Sequence, residues 1–214
     1  MLGRAAVAMW WDIAPEMKAE FEDWHSHEHM PERLRIPGFL RGTRWIALSG
    51  EPSYFILYEA ARLATVTGGA YVQRLNDPTP WSRKIMPHHL NMVRSLCRVK
   101  ASAGAGVAET LATVRFSPRR GRGKAIAELL ASLPSRKGLT SAHLLASQPA
   151  GPAQTTEQKI RGGDRAAEAV LLIGGYDAGA VKAVVAGELR DELFGPRIEG
   201  FYRPAFSLTS RDRP

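Results

Sequence analysis

Residues 101–106 read ASAGAG, in the middle of a chain of 214 residues. A run of small residues that includes two glycines is typical of a flexible linker. Before this run, the sequence pattern predicts a strand, a helix, two strands, a helix and a strand, and the same order restarts at Thr110. The sequence therefore predicts two like units, over residues 1–103 and 107–214.

The first predicted strand, VAMWWDI at residues 7–13, shows how these units would meet. Successive side chains of a strand point to opposite faces of its sheet. Met9 and Trp11 therefore share one face, Ala8 and Trp10 share the other, and both faces are apolar. In a β-α-β-β-α-β unit the helices cover only one face of the sheet, so the second apolar face needs another partner.

The predicted fold class is α+β, with tandem duplicated ferredoxin-like βαββαβ units packed sheet to sheet as an α/β barrel within one chain. A TIM barrel is excluded because strands and helices do not alternate one to one. One such chain is equivalent to a dimer of single units. We therefore expect either a monomer that is a pseudo-dimer, or a homodimer formed through exposed strand edges.

The charge of the chain permits anionic partners without identifying one. Lys and Arg number 29 against 21 Asp and Glu, giving a formal net charge of +8 and a pI near 10. Glycines interrupt the basic run at residues 119–124, and residues 41–48 and 53–59 lack the aromatic strand motif of RNA-binding domains. No apolar run approaches the roughly 20 residues of a membrane span. We expect neither a nucleic-acid partner nor a membrane.

Cys97 is the single cysteine, so no intrachain disulfide is possible, and it is interpreted as a small buried apolar residue. The apolar stretch at residues 5–11 is short, holds two tryptophans and lacks a small-residue cleavage site. These features predict a strand and not a signal peptide. The expected location is therefore the cytoplasm.

The two halves differ in the residues that carry chemistry. All five tryptophans lie in the first half, at positions 10, 11, 24, 45 and 81. Five of the six histidines also lie there, at positions 25, 27, 29, 88 and 89. We therefore expect the first unit to carry the functional site and the second to be a degenerate scaffold.

The first helix is predicted over residues 16–29, with Pro31 just beyond its end. At 100° per residue, Glu28 continues the apolar stripe of Phe21 and Trp24 that should face the sheet. A carboxylate on such a stripe is costly unless it is paired. Glu28 therefore lies either at the lip of a pocket or, if the helix ends early, in water or capping a turn.

Two arginines could partner this carboxylate. Arg33 is close to Glu28 in sequence, and Arg44 lies on the second predicted strand. Either guanidinium could hold an anionic substrate, or could simply form a structural ion pair. Large aromatic residues could line the pocket wall or form ordinary core, and these are Trp24, Trp45, Tyr58 and Trp81.

His25 and His29 are four residues apart and could face one ligand. The adjacent pair at residues 88–89 would point to different sides, and the chain has no H-E-x-x-H motif. We therefore expect no metal, and we assign His25 to substrate binding. The phosphate-binding and dinucleotide-binding motifs are also absent, so no cofactor is predicted.

Three segments carry a resemblance to a known family. Residues 24–33 read WHSHEHMPER, residues 36–45 read IPGFLRGTRW and residues 78–81 read PTPW. In this order they resemble the EthD-like group of the dimeric α/β-barrel superfamily and its uncharacterised relatives, over about residues 7–100. The resemblance implies ferredoxin-like units packed sheet to sheet, with pockets between the sheet and the helices. It also implies that His29 matches the group's histidine.

The superfamily includes isomerases and lyases of small ring compounds, cofactor-free monooxygenases and haem-binding enzymes. We therefore expect an enzyme that acts on a small carbonyl or ring compound. His29 would be the proton-transferring base, Glu28 would orient it or share the proton, and Arg33 or Arg44 would hold an oxyanion. One alternative is a non-catalytic small-ligand-binding or stress-related protein. A weaker alternative is haem binding, with His29 as axial ligand.

Overall fold

A computed structural model describes residues 1–50, 52–149 and 154–212. The sequence predicts a turn at residues 49–52 and a long polar loop at residues 148–165. Within these two segments, Glu51 and residues 150–153 lie outside the described residues. The eight strands are β1 Ala5–Ile13, β2 Phe39–Ala47, β3 Tyr54–Ala60, β4 His89–Gly104, β5 Thr110–Phe116, β6 Leu139–Ser147, β7 Ala169–Gly175 and β8 Arg197–Thr209. The α-helices are α1 Lys18–Trp24, α2 Met30–Leu34, α3 Leu63–Thr67, α4 Gly69–Asn76, α5 Pro80–Ile85, α6 Gly123–Ser132, α7 Thr156–Ile160, α8 Ala178–Glu188 and α9 Asp191–Phe194.

The strands form one closed barrel in the order β1-β3-β2-β8-β5-β7-β6-β4. Each half of the chain contributes four neighbouring strands of the barrel. The last strand of each half also pairs with a strand of the other half. Thus β4 pairs with β6, and β8 pairs with β2. Two ferredoxin-like units therefore share one continuous hydrogen-bonded sheet.

The central linker and the free strand edges are two expectations that the structure corrects. Residues 101–104 belong to β4, where Ala101 pairs with Leu144 and Gly104 with Ser141. They are held in a strand because the backbone of β6 supplies their hydrogen-bond partners. Every described strand is paired on both sides, so the barrel leaves no open edge for a second chain.

The predicted alternation of β1 is confirmed. Ala8 and Trp10 point into the barrel, in a core with Phe55 and Tyr202, and the Trp10 Nε1 donates to Thr113 Oγ1 at 3.1 Å. Val7, Met9, Trp11 and Ile13 face the helices of the first half, in a separate core. The matching layer of the second half is mostly aliphatic, without histidine or tryptophan. The cavity described below lies in the outer layer of the first half.

The first helical segment runs further than predicted. After α1, residues His25–His29 form a π-helical turn, and α2 continues through Pro31 to Leu34. The Met30 N–H donates to the His25 carbonyl, five residues back. A π turn is wider than an α turn, which relieves the clash between the ring of Pro31 and the preceding turn of the helix. Among the described residues, no helix has the length and apolar character needed to cross a bilayer.

Candidate functional site

The π turn decides which side chains of this segment point inward. His25 is completely buried and His29 is 8% exposed, whereas His27 is exposed and Glu28 is only partly buried. The expectation that Glu28 continues the core-facing stripe is therefore wrong. It assumed 100° per residue throughout, and the wider turn rotates the residues after Trp24 out of that register.

The inward side chains surround a small closed cavity between the sheet and the helices. Its volume is about 20 Å³, which is room for a single water molecule. Five of the residues predicted for the site line it, namely Trp24, His25, His29, Arg33 and Tyr58. The other lining residues are Met9, Trp11, Tyr71, Leu75, Met86, His89, Met92, Arg94, Glu157 and Arg161.

The two inward imidazoles are held by aromatic neighbours. The ring of His29 lies against Trp24, with centroids 4.3 Å apart, and the centroids of His25 and His29 are 5.7 Å apart. On β3, the Tyr58 hydroxyl lies 3.3 Å from His25 Nε2. Burial raises the pKa of Tyr58, so this hydroxyl keeps its proton.

Each of these imidazoles leaves a ring nitrogen without a partner. The Nδ1 atoms of His25 and His29 are buried and make no hydrogen bond with any described residue. Such atoms are rare in proteins, because each one has lost its bond to water. Here they lie beside a cavity that can hold a polar atom, so they are available to a ligand.

Burial and positive charge keep the cavity's imidazoles neutral. Burial is the larger cause that lowers the pKa of His29 well below 6.5, and the Arg33 guanidinium adds to it. The pKa of His25 is lowered in the same way by burial and then by Arg44. For His89, burial lowers the pKa to about 3. His29, which we expected to be the proton-transferring base, therefore does not have the ordinary histidine pKa near 6.5.

Arg33 closes the cavity through an ion pair that joins the two halves of the chain. Its guanidinium donates to Glu32 at 3.1 Å and to Glu157, which comes from α7 in the second half. The side chains of Arg33 and Glu157 are 2% and 3% exposed. Arg161 extends the network, at 3.5 Å from Glu157 and 3.0 Å from Asp164.

Three predicted site residues lie outside the cavity. Glu28 accepts hydrogen bonds from Trp24 Nε1 at 3.1 Å and Thr79 Oγ1 at 2.6 Å, and no described arginine pairs with it. Trp81 donates to Glu20 at 3.2 Å and does not form a wall of the cavity. Glu28 can thus position Trp24, and through it the stacked ring of His29.

Arg44 is also occupied elsewhere. It donates to the backbone carbonyl of Glu22 at 3.0 Å, and its guanidinium lies 5.9 Å from the ring of Phe21 and 5.6 Å from that of Phe206. Burial lowers its pKa. We expected Arg44 to pair with Glu28 or to clamp a substrate, but its strand position directs it to the α1 backbone instead.

Sequence reasoning missed most of the polar lining, above all Glu157 and Arg161. Both lie in the segment at 148–165 that was predicted to be a long polar loop. That segment contains α7, which begins with a capping box formed by Thr155 and Gln158. The spacing of these two residues is a helix-start signal that the sequence offered. His89 and Arg94 were missed because nothing local shows which face of β4 they occupy.

A wider groove lies directly outside the cavity. It has a volume of about 470 Å³ and shares His89, Met92 and Arg161 with the cavity lining. Asn91, also in this groove, has a φ of 56° and is the one non-glycine residue with positive φ in the described part of the chain. Such a backbone conformation is uncommon and concentrates at functional sites.

The donors present do not form a metal site. No group of three or more His, Cys, Asp or Glu side chains within residues 1–50, 52–149 and 154–212 is arranged to hold a metal ion. The cavity instead offers the neutral imidazoles of His25 and His29, the protonated phenol of Tyr58 and the guanidinium of Arg33, which Glu32 and Glu157 already bind.

Sequence comparison identifies no relative. No known family matches the chain, and no curated protein matches it in sequence. Solved structures do match it over nearly their whole length. A candidate monooxygenase from Fusobacterium nucleatum subsp. nucleatum ATCC 25586 is 8% identical with a TM-score of 0.61, covering 98% of this chain and 96% of that one.

Two further solved structures also match the fold of this chain. A candidate monooxygenase from Lactobacillus acidophilus NCFM is 9% identical with a TM-score of 0.59, covering 97% of each chain. An anthrone oxidase-like protein is 12% identical with a TM-score of 0.58, covering 98% of this chain and 94% of that one. At these identities the likeness is one of fold. The chain therefore has the fold of the dimeric α/β-barrel superfamily, with both ferredoxin-like units in one polypeptide.

Proposed function

We propose that this protein is a small-molecule enzyme of the dimeric α/β-barrel type that transfers a proton on an enolisable carbonyl or ring compound without a bound cofactor. The observation that carries the proposal is the pair of buried, neutral imidazoles whose Nδ1 atoms lack partners beside the cavity. An unpaired buried acceptor lowers the free energy of a bound substrate that offers it a proton.

In this proposal His29 is the base. A carbon acid adjacent to a carbonyl would give its proton to the free nitrogen of His29, and the electron pair would move to the carbonyl oxygen. Burial is the larger cause of the lowered pKa of His29, and the positive charge of Arg33 adds to it. In the proposal, this positive charge also stabilises the negative charge that develops on the enolate oxygen.

Other lining residues would hold this geometry. Trp24 lies against the His29 ring and fixes its plane, and Glu28 holds the Trp24 indole by its N–H. Tyr58 contacts His25 through its hydroxyl, so these two could pass a proton between the substrate oxygen and the protein.

A substrate larger than water needs the cavity to widen. The 470 Å³ groove outside it shares Met92 and Arg161 with the cavity, so displacement of these two side chains would join the two spaces. The joined volume falls in the range typical of ligand pockets. An outward movement of α7, which contains Glu157 and ends just before Arg161, would also join the two spaces.

The test compares turnover by two variants, each of which has one histidine of the π turn replaced by glutamine. Since one structure of the same fold is described as anthrone oxidase-like, anthrone with dioxygen heads the substrate panel, followed by enolisable ring ketones and lactones. We expect His29→Gln to lower kcat on an accepted substrate by about 10²- to 10⁴-fold, the usual contribution of a general base. His27→Gln, whose ring is exposed, should stay within twofold of the parent.

Equal turnover by the His29→Gln variant and the parent protein would remove His29 from the reaction. Circular dichroism and thermal unfolding of both variants would show that any loss of activity does not come from loss of the fold.

A non-catalytic small-ligand-binding or stress-related protein is the second candidate. One observation favours it: the pKa of His29 is well below 6.5, and a base works best with a pKa near the working pH. Saturable binding of a panel compound by the parent protein, with weaker binding by His29→Gln and no chemical change in the compound, would support this candidate over the enzyme.

Haem binding, the weakest of the three, does not fit the cavity. The lining side chains enclose about 20 Å³, whereas pockets for ligands of drug size or larger occupy several hundred.

A small-molecule partner, a monomeric pseudo-dimer and a cytoplasmic location remain our predictions. The absence of an open edge among the described strands supports the monomer over a homodimer built by strand pairing. The buried thiol of Cys97 has its pKa raised by burial to about 12, so it is unsuited to disulfide exchange.

A further inference from the structure

A second pocket lies at one end of the barrel, away from the imidazoles. Its volume is about 460 Å³, and it is formed by the end of β5, the start of β8 and residues 165–168. Val93 lines it from β4, whereas the neighbouring Met92 and Arg94 line the imidazole cavity. The two spaces therefore lie on opposite faces of the same strand.

Arg115 is the charged group at the inner side of this pocket. It follows Leu111 and Thr113 at alternate positions of β5, and both of these residues contact the barrel core. Its guanidinium lies over the ring of Trp10, 5.0 Å from the centroid. A guanidinium stacked on an indole is fixed in orientation, with its fork of donors left free.

Arg115 has no acidic partner among residues 1–50, 52–149 and 154–212. Its guanidinium forms no ion pair or hydrogen bond with any described residue, although Arg115 itself is partly buried. Burial, followed by the nearby charge of Arg165, lowers its pKa. The side chain of Arg165 likewise has no partner in the described part of the chain, and it lines the same pocket. Two arginines that pair with no described carboxylate thus face one space.

One acidic group lines the pocket beside these two arginines. The carboxylate of Glu168 accepts a hydrogen bond from Ser117 at 3.0 Å and keeps its negative charge, so Arg115 and Arg165 leave an excess of one positive charge. A third lining arginine, Arg197, is already bound by Glu199 at 2.7 Å and Asp191 at 2.6 Å. The remaining surface is largely apolar, from Val93, Phe116, Ala166, Ala167, Pro196 and Ile198.

We propose that this barrel-end pocket binds a small organic carboxylate with an apolar body, whose carboxylate is held by Arg115 and Arg165. The planar fork of an arginine matches a carboxylate in two hydrogen bonds. The apolar lining would take the hydrocarbon part, and the volume lies within the range of small-molecule sites. A fully inorganic anion would use the two arginines and leave the apolar surface uncovered.

The experiment is a calorimetric titration of the full chain with octanoate, octanol and inorganic phosphate. We expect octanoate to bind, and both octanol and phosphate to bind at least tenfold more weakly. Arg115→Gln should weaken octanoate binding by at least tenfold, the usual worth of a charge-assisted hydrogen bond. Arg115→Lys, which keeps the charge and loses the fork, should lie between Arg115→Gln and the parent.

Arg197→Lys is the matched control, because it replaces a guanidinium of the same pocket that Glu199 and Asp191 already bind and keeps the positive charge beside them. It should change octanoate affinity by less than threefold. The proposal is overturned if octanol binds as tightly as octanoate, if phosphate binds as tightly as octanoate, or if Arg115→Gln has the affinity of the parent while retaining its unfolding temperature. Absence of octanoate binding at millimolar concentration would overturn it as well.

Discussion

Replacing Glu157 by Gln should show that the second half of the chain closes the cavity of the first. The carboxylate of Glu157 is the buried partner of Arg33 and also contacts Arg161. Glutamine keeps the shape of the side chain and removes its charge. The Arg33 guanidinium, 2% exposed, would then face a neutral amide with no access to water.

The expected loss of stability follows from this burial. Removing one partner of a buried ion pair costs about 3–5 kcal/mol. Arg33 keeps its bond to Glu32, and Arg161 keeps its bond to Asp164, so the lower end of this range applies. A loss of about 3 kcal/mol in a chain of this length lowers the unfolding temperature by about 6–12 °C.

Differential scanning calorimetry and urea unfolding at pH 7 measure this change. The matched control is Glu188→Gln, which breaks the ion pair between Glu188 and Arg136, whose side chains are 36% and 39% exposed. An exposed pair contributes about 0–1 kcal/mol, so the control should unfold within about 3 °C of the parent. If Glu157→Gln unfolds as the control does, α7 does not close the cavity.

Three further predictions concern the interior. Burial lowers the pKa of His89 to about 3 in the folded chain, whereas its value in the unfolded chain is about 6.5. Between these values only the unfolded state binds the proton, so the free energy of unfolding should fall as the pH drops below 6.5. Urea unfolding should show a loss from this residue of about 2 kcal/mol at pH 5, and the His89→Asn variant should not show it. Gly42→Ala would place a Cβ atom 2.8 Å from the Tyr58 ring and 2.9 Å from Met30 Cγ, so calorimetry should show a loss of about 1–3 kcal/mol. The buried Cys97 thiol, whose pKa is raised to about 12, should resist a thiol reagent at pH 8 and react in denaturant.

The fold was predictable because its signal is local and repeated. Alternation along β1 placed Trp10 and Trp11 on opposite faces, and both assignments are confirmed by the barrel core and the outer layer. The barrel was predicted from two packed sheets, but the strand pairing between the two units that closes it was not. This pairing depends on β4 and β8 continuing past their own units, and small residues at 101–104 gave no sign that β6 would pair with them.

The site was predictable in part, because its residue types are conspicuous. The prediction grouped Trp24, His25, His29, Arg33 and Tyr58, and the structure places all five around one cavity. It placed Glu28 incorrectly because a helical wheel contains no π turn. It missed Glu157 because a contact across 124 residues has no local signal, although the capping box before it did mark a helix.

The protonation of the two inward imidazoles tests the central claim most directly. Nitrogen-15 NMR of the histidine rings, titrated from pH 8 to pH 4.5, reports the charge of each ring, with His25→Gln and His29→Gln used for assignment. The structure predicts that both rings remain neutral well below pH 6.5. A ring at position 25 or 29 that gains its proton at pH 6.5 or above would contradict the enclosed cavity on which this account depends.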